Sequence, residues 1–439
     1  MNLRYAISSV RLAPAMHCQR HWNVRRIRSS CPVSDLKLPR GRRWVGRYPA
    51  FMNAGKYVLA QLLERIHPEQ FRRCVARYRG DYKVRRFSCW DQFLCLAFAQ
   101  LTFRESLRDI EACLGSRQRQ LYHLGLRGEV ARSTLADANE SRDWRIYADL
   151  AQQLIRRARR LYAADDLGPQ LAQTTYALDA TTIDLCLSLF PWAYFRRHKG
   201  GIKLHTLLDV RGDLPASVWV TDAKTHELFG WDQVALEANA FYLVDKAYLD
   251  YTRLQAVTQA RAFFIIPAKA RLNYYRVASQ PVAKDTGLRS DQIIVLTGRY
   301  PRRAYPQRLR RIGYYDAEHH RRLVFLTNHF ELPALTIAQL YRCRWRVELF
   351  FKWIKQHLRI KAFYGTSPNA VRLQIWVALA VYVLVAILRQ ELKIKASMFT
   401  VLQILSVSLF EKIPLIQLFA HVNETIEPNS KPNQLLLFS

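Results

Sequence analysis

The sequence is short of acid: 35 Asp and Glu stand against 67 Lys and Arg, which leaves a formal charge of +32 on 439 residues. A compact chain with that surplus repels itself unless it meets a polyanion. DNA or RNA is the commonest partner of that kind, and an anionic membrane surface is the second. Also missing are a C-x-x-C pair and the His spacing of a zinc knuckle. The eight cysteines, Cys18, Cys31, Cys74, Cys89, Cys95, Cys113, Cys186 and Cys343, are scattered, which argues against a disulfide framework or structural zinc. Half of them lie in apolar helical runs, as Cys95 does in FLCLAFAQL, where a free thiol behaves as a small buried hydrophobe. The compartment reads as reducing. No apolar run reaches bilayer length either. The longest, Ile375 to Leu388, has 14 residues between Arg372 and Arg389, whereas a span needs about 20, so the run reads as a buried core helix.

What is present is ample apolar material, half of the residues, with 12% aromatic. That excludes global disorder, and the length argues for two or three domains. Residues 1–51 carry eleven Lys or Arg, one acid and no apolar periodicity, and they are expected to be a disordered basic leader. The alternative is upstream sequence read from a wrong start codon, since helical periodicity begins at once in MNAGKYVLAQLLERI from Met52. No apolar stretch follows the charges as in a secretory signal, and the likeness to a transit peptide is weak.

From Met52 to Asp166 apolar residues recur at three and four positions, predicting a helical domain over 52–166. Ser88 caps the run through Leu101, and Gly115 ends RESLRDIEACL. RDIEACLGSRQRQLYHLGL followed by RSTLADANESRDW has the helix, turn and helix of a DNA reader. A long helix after Ser133 places Trp144, Leu150 or Ala151, Leu154, Ala158 and Leu161 on one side, with Arg156, Arg157, Arg159 and Arg160 near its end. That cluster is either a solvated face or a phosphate contact.

Pro169 closes the helical region, and the pattern turns to strands: TTYALDATTIDLCLS, GGIKLHTLLDVRG and DLPASVWVTDA. A helix near Leu228 to Ala238, the strand AFYLVDKAY, the helix YTRLQAVTQA and the strand RAFFIIPAK follow. Three strands, helix, strand, helix, strand is an α/β order with a mixed sheet, that of the ribonuclease H fold. Its first part is assigned to 170–270. Residues 271–330 are strand-like and basic, ending in the hairpin candidate RRIGYYDAEHHRRLVFLTN. Helices then occupy 331–418, and 419–439 read as a frayed tail.

Asp179 ends the apolar strand YALD, and Asp245 ends FYLVD. Two acids at strand ends could share a hard divalent ion, although an Asp closing a strand is more often a turn or cap residue. The third element is the helix containing YRCRWRVELFFKWIK. At about 100° per residue, Tyr341, Arg344, Glu348 and Lys355 fall within about 60° of one another. Lys352 joins that stripe one turn past Glu348, beside an apolar face of Leu340, Val347, Phe351, Ile354 and Leu358. An amphipathic surface helix with ion pairs four residues apart would look the same.

On these residues the chain resembles the insertion-sequence transposases of the DDE class that carry a Tyr-Arg-Glu-Lys signature. The pattern Y-x2-R-x3-E-x6-K is matched at Tyr341, Arg344, Glu348 and Lys355, and Lys352 also fits. LDATTIDL resembles the family's first-Asp strand, and LVDKAYLDY its second-Asp motif, in which a basic residue and a Tyr follow the Asp. FSCWDQFLCLAFAQLTFRESLRDIEACL, with RSTLADANESRDWRIYADLA, looks like the helical domain that precedes the catalytic domain in one branch. The resemblance spans roughly Met52 to Leu418.

It implies an α/β fold: a ribonuclease H-like mixed sheet interrupted by a β-rich insertion at 271–330, preceded by an all-helical N-terminal domain. It also implies that Asp179, Asp245 and Glu348 hold two Mg²⁺ ions, with Mn²⁺ as a substitute. A metal-activated water then cuts the transposon end, and the freed 3′-OH attacks the opposite strand and later the target. Tyr341, Arg344, Lys352 and Lys355 would hold phosphates of the distorted end. The implied partners are double-stranded DNA at terminal inverted repeats, target DNA and a second copy in a homodimer, with no membrane, in a prokaryotic cytoplasm or nucleoid. Relatives stack a flipped base on an aromatic of the insertion. RRLVFLTN here has no Trp, which leaves Leu323 or Phe325 as substitutes and the role unassigned.

Asp184 faces away from Asp179 on a regular strand, while Asp209, Asp222 and Asp250 lie in or near turns, so all four rank below the three named acids. Lys199, Lys203 and His205 could touch DNA or simply form the polar face of their strand. Two rival readings stand beside the transposase: a catalytically inactive DNA-binding relic, and a basic membrane-surface protein resting on the apolar run.

Overall fold

The computed structural model describes residues 55–126, 128–163, 173–196, 199–357, 363–420 and 422. The basic leader, most of the tail, Pro169 and Leu358 lie outside them. The chain opens on helices α1 (Val58–Leu63), α2 (Pro68–Arg77), α3 (Cys89–Leu101), α4 (Leu107–Gly115), α5 (Gln118–Tyr122), α6 (Arg132–Ser141) and α7 (Arg145–Tyr162). Their starts are chemically marked. Ser88 and Asp91 form a reciprocal capping box on α3, with Asp91 N–H donating to Ser88 Oγ at 3.2 Å and Ser88 N–H to Asp91 Oδ2 at 2.7 Å. Ser106 caps α4 by accepting from Asp109 N–H, without the reciprocal bond.

The long helix expected after Ser133 is two helices. Arg142 breaks it in an extended conformation, because its buried guanidinium turns back to donate to the carbonyls of Phe87 and Ser88 and to Gln92 Oε1. Gln92 also joins Asn139 and Tyr147, which completes a buried polar network at the junction. At the other end of α7 the arginine cluster divides. Arg157 reaches Glu391 and the Arg65 carbonyl, and Arg159 reaches Asp209 and Tyr176. Arg156 and Arg160 remain exposed.

The apolar run lies within α13 (Pro368–Glu391), and every residue from Ile375 to Leu388 is buried. It packs against α3, α6, α7 and α14 (Met398–Ser408), so those helices, rather than lipid, cover its apolar circumference. Asn369, in its first turn, donates to the carbonyls of Asn139 (2.9 Å) and Arg142 (2.7 Å) and so caps the end of α6.

The strands β1 (Thr175–Leu185), β2 (Tyr194–Arg196), β3 (Lys199–Asp209), β4 (Leu214–Asp222), β5 (Phe241–Val244), β6 (Phe263–Pro267), β7 (Tyr274–Gln280), β8 (Leu288–Leu296), β9 (Leu309–Asp316) and β10 (Arg321–Thr327) form one mixed sheet. From β3 onward the order is β3, β1, β5, β6, β10, β9, β8, β7, and β4 and the short β2 pair with β3's other edge. β1, β5 and β6 run parallel, while β3 is antiparallel to β1. The crossovers carry α8 (Leu228–Gln233), shorter than expected because Val234 is already extended, and α9 (Tyr251–Gln259); α10 (Arg299–Ala304) links β8 to β9. The expected hairpin RRIGYYDAEHHRRLVFLTN is present as β9 and β10, and β10 pairs antiparallel with β6, so the strands after 271 extend the same sheet.

Side-chain alternation sorts the sheet's two faces. Ala177, Ile183, Leu204, Leu208 and Leu243 face one core with α7, α12 (Trp345–His357) and α13. Tyr176, Leu178, Leu207, Tyr242 and Val244 face a second core with α9.

Candidate active site

Leu178 of β1 sits opposite Val244 of the parallel strand β5. The next residue in each case is an acid on the face that carries Ala177 and Leu243, which α12 covers. Only Asp245 follows the end of its strand; Asp179 stands within β1, which continues to Leu185 instead of ending at the acid as expected. Asp245 opens a one-turn helix, and Tyr248 N–H donates to its backbone carbonyl at 2.9 Å, but its carboxylate makes no capping bond. The ordinary cap role therefore does not account for this side chain.

The expected single helix around the third acid is interrupted. α11 (Ala334–Arg342) ends before Cys343, and α12 starts at Trp345. Between them the N–H groups of Cys343, Arg344, Arg346 and Val347 bond to carbonyls three residues back. A ladder of that kind winds about 120° per residue rather than about 100°, so the simple stripe arithmetic fails across this join. Arg344 stands in the overwound stretch. Its guanidinium donates to Glu348 Oε1 at 2.5 Å and lies 3.7 Å from Asp179 Oδ2. One cation thus links the acid of β1 to the acid of α12.

Burial, first, and then the charges of Glu348 and Asp245 push the Asp179 carboxyl up to about 6, against the pull of Ala180 N–H and Arg344. Arg344 is itself held above the ordinary guanidinium value: burial works against its charge, and Tyr341, Glu348 and Asp179 outweigh that. Tyr341 is half-buried, with Arg344 over its ring at 5.8 Å and Phe325 packed on it at 4.7 Å. Burial pushes its phenol up to about 12. Phe325 is 1% exposed, so its ring is used in packing on Tyr341 and offers no open face to a base. Lys352 and Lys355 follow on α12, both partly buried.

Comparison with known proteins bears on this geometry. Residues 171–384 match the family described as transposase DDE domain, and residues 54–127 match a domain of unknown function. A putative transposase of Sinorhizobium fredii is 34% identical over 261 residues, 58% of this chain and 70% of the relative. The chain belongs to the DDE transposase family. A probable insertion-sequence transposase of Geobacillus stearothermophilus is 30% identical over 49% of this chain and 57% of its own length. A piggyBac transposase synaptic complex with hairpin DNA covers 87% of each chain at 10% identity and a TM-score of 0.41, a likeness too distant to carry weight. The family match runs from just before β1 into α13 and so spans all three acids of this transposase.

The competing acids have other partners. Asp250 caps α9 through Arg253 N–H, and Asp209 binds Arg159 and Arg211 N–H. Asp184 and Asp222 are exposed. Lys203 donates to the Thr225 carbonyl, and His205 is fully buried against Thr221 rather than lying on a polar face. Burial, and then Lys203, lowers the His205 pKa to about 4.

Two hydroxyls near these acids had no role assigned from the sequence, although the Tyr after the second Asp belongs to the quoted motif. Thr206 lies directly across from Asp179, and Tyr248 follows Asp245 by three residues. Both are buried and neither hydroxyl has a hydrogen-bond partner. The DKAY spacing was the available signal for Tyr248; Thr206 is found only through strand register. Asp179, Asp245 and Glu348 offer hard carboxylate oxygens, the ligand type that a divalent cation such as Mg²⁺ takes, but their ligand atoms do not all come within 4.8 Å of one another here. Among the described residues, three candidate ligand atoms lie within 4.8 Å of one another only at Asp316, Glu318 and His319, on the β9–β10 turn. There Arg342 already pairs with Glu318.

Proposed function

We propose that this protein is an insertion-sequence transposase that cuts DNA at the ends of its element and joins the freed end to a target. The observation that carries the reading is the meeting of Asp179 and Asp245, side by side on parallel strands, with Glu348, tied to Asp179 through Arg344. The sheet order β4, β3, β1, β5, β6, with β3 antiparallel to three parallel strands, supports a ribonuclease H-like core over 170–270 and 331–418. The strands of 271–330 are then an insertion that prolongs its sheet.

Asp179, Asp245 and Glu348 would hold two divalent ions, Mg²⁺ or Mn²⁺. When bound, these supply an activated water and charge neutralisation at the phosphate. The chain's own residues do the rest. Arg344 offers a planar, permanently charged donor array at the carboxylates, suited to a phosphate oxygen as it is to Asp179 and Glu348. Tyr341 braces that guanidinium through its ring, and Lys352 and Lys355 extend the cationic line along α12 for the backbone of the transposon end. The exposed Arg156 and Arg160 add to the basic surface. The Tyr-Arg-Glu-Lys subgroup, cut-and-paste transposition at terminal inverted repeats, action as a homodimer and a nucleoid location complete the proposal.

The test incubates the protein, with and without residues 1–51, with DNA carrying the ends of its element, in Mg²⁺, Mn²⁺ or EDTA, beside Glu348→Ala. Metal-dependent cuts at the element boundary that vanish in the variant are expected. Specific binding without cutting in any metal would make it a DNA-binding relic.

A further inference from the structure

Away from the acids, the turn between α2 and α3 concentrates unlike features in a few residues. Arg79, Tyr82, Lys83, Arg85 and Arg86 are all exposed. The Arg79 guanidinium lies 4.2 Å from the centre of the Tyr82 ring and the Lys83 ammonium 5.4 Å, yet the ring is still 59% exposed. The acids nearby are committed elsewhere. Asp81 accepts from Cys89 N–H at 2.7 Å, Glu69 pairs with Arg72 and Arg73, and Asp149 pairs with Arg77.

The turn is also held in shape. Arg79 and Lys83 both adopt left-handed backbone conformations (φ 54° and 59°), which are costly for residues with a β-carbon. Gly80 N–H bonds to the Val75 carbonyl at 3.0 Å, and a β-carbon there would strike Ile146 and Cys89. Tyr82 walls a cleft of about 390 Å³ that is also lined by Phe71, Val75, Ala76, Trp90, Arg72, Arg79 and Asp81, the last held by Cys89 N–H. Its floor is apolar and aromatic, with Phe71 and Trp90 packed edge-on at 5.2 Å, and its rim is cationic.

An apolar aromatic cleft with a cationic rim fits a flat, apolar-faced ring attached to an anionic chain. We infer that this cleft and turn bind an unpaired DNA base, with Tyr82 stacking on it and Arg85 and Arg86 holding the flanking phosphates. Fully paired duplex presents its phosphates to the arginines but leaves Tyr82 and the cleft without a base to stack. The inference rests on the DNA-acting function proposed above and adds a second contact site, in the N-terminal helices.

Fluorescence anisotropy separates the two contributions, using one labelled duplex with blunt ends and one with a three-nucleotide unpaired tail carrying 2-aminopurine. Wild type is expected to bind the tailed DNA about tenfold tighter and to quench the 2-aminopurine. Tyr82→Ala should abolish both the preference and the quenching while leaving duplex affinity and its salt dependence unchanged. Arg85→Ala/Arg86→Ala should weaken binding to both DNAs and lower the slope of log K against log salt by about 2. Circular dichroism checks that each variant is folded; these exposed side chains leave the core intact. Equal binding of the two DNAs by wild type, or an unchanged preference in Tyr82→Ala, overturns the inference. If the wild type nonetheless cuts its element ends, the proposed function stands without it; if the wild type neither binds nor cuts DNA, both fall.

Discussion

Asp179→Asn should stabilise the protein at neutral pH, because the folded state holds this carboxylate against its preference. Its pKa rises from 3.8 to about 6 on folding, from burial first and then from Glu348 and Asp245. Two pKa units correspond to about 3 kcal/mol between the protonation states. The side chain is 19% exposed, so solvent screening removes little of that. Since the folded pKa is the higher one, the native state keeps a proton that the unfolded chain has already released between about pH 4 and 6. Stability from this group is therefore fully present below about pH 4 and is lost as pH rises through about 6. Asparagine carries no charge, still accepts from Ala180 N–H, and leaves Arg344 its 2.5 Å bond to Glu348. Urea unfolding followed by tryptophan fluorescence in EDTA should show the variant about 2–3 kcal/mol more stable at pH 7.5, with the advantage shrinking to near zero by pH 4. A variant less stable than wild type at pH 7.5, or an advantage independent of pH, would refute the claim that this acid is held under electrostatic strain. Adding Mg²⁺ should stabilise the wild type and not the variant, since binding to the folded state alone raises apparent stability.

Further outcomes follow from other contacts. Glu348→Gln and Asp245→Asn should each reduce end cleavage roughly a thousandfold or more while DNA affinity in a gel-shift assay changes little, because on the proposed function each removes a metal ligand and with it several kcal/mol of transition-state stabilisation. Asp291→Ala should cost about 3–5 kcal/mol in urea unfolding: Arg310 and Asp291 are 3% and 5% exposed, joined by bonds of 2.9 and 2.7 Å, and the variant strands a buried guanidinium. Asp291→Ala/Arg310→Met should recover much of that loss. Asn369→Ala, which removes the donors to the last carbonyls of α6, should cost about 1–2 kcal/mol and increase amide exchange at residues 139–142 without altering the far-UV spectrum.

Features written over a few adjacent residues were legible in the sequence. The Ser88 cap, the apolar run of α13, the order of strands and helices through 267 and the hairpin of β9 and β10 each rest on spacings of two to four residues or on one uniformly apolar stretch. The same local chemistry singled out Asp179, Asp245 and Glu348, because an acid ending an apolar strand, or one on a helical stripe of Arg and Lys, is conspicuous without knowing its neighbours. Only the tertiary structure decided which of these groups meet. Arg142 leaves the helix because buried carbonyls at Phe87 and Ser88 are waiting for it, more than fifty residues away, and no local propensity encodes that. The overwound join at Cys343 and Arg344 swings Arg344 between two acids far apart in sequence, and the pairing of β10 with β6 merges the later strands into the same sheet. That the hydroxyls of Thr206 and Tyr248 are buried without partners became visible only when strand register and packing removed water from around them. Secondary structure follows from periodicity within one element, whereas burial, ion pairing and the pKa of a carboxylate depend on which elements the fold brings together.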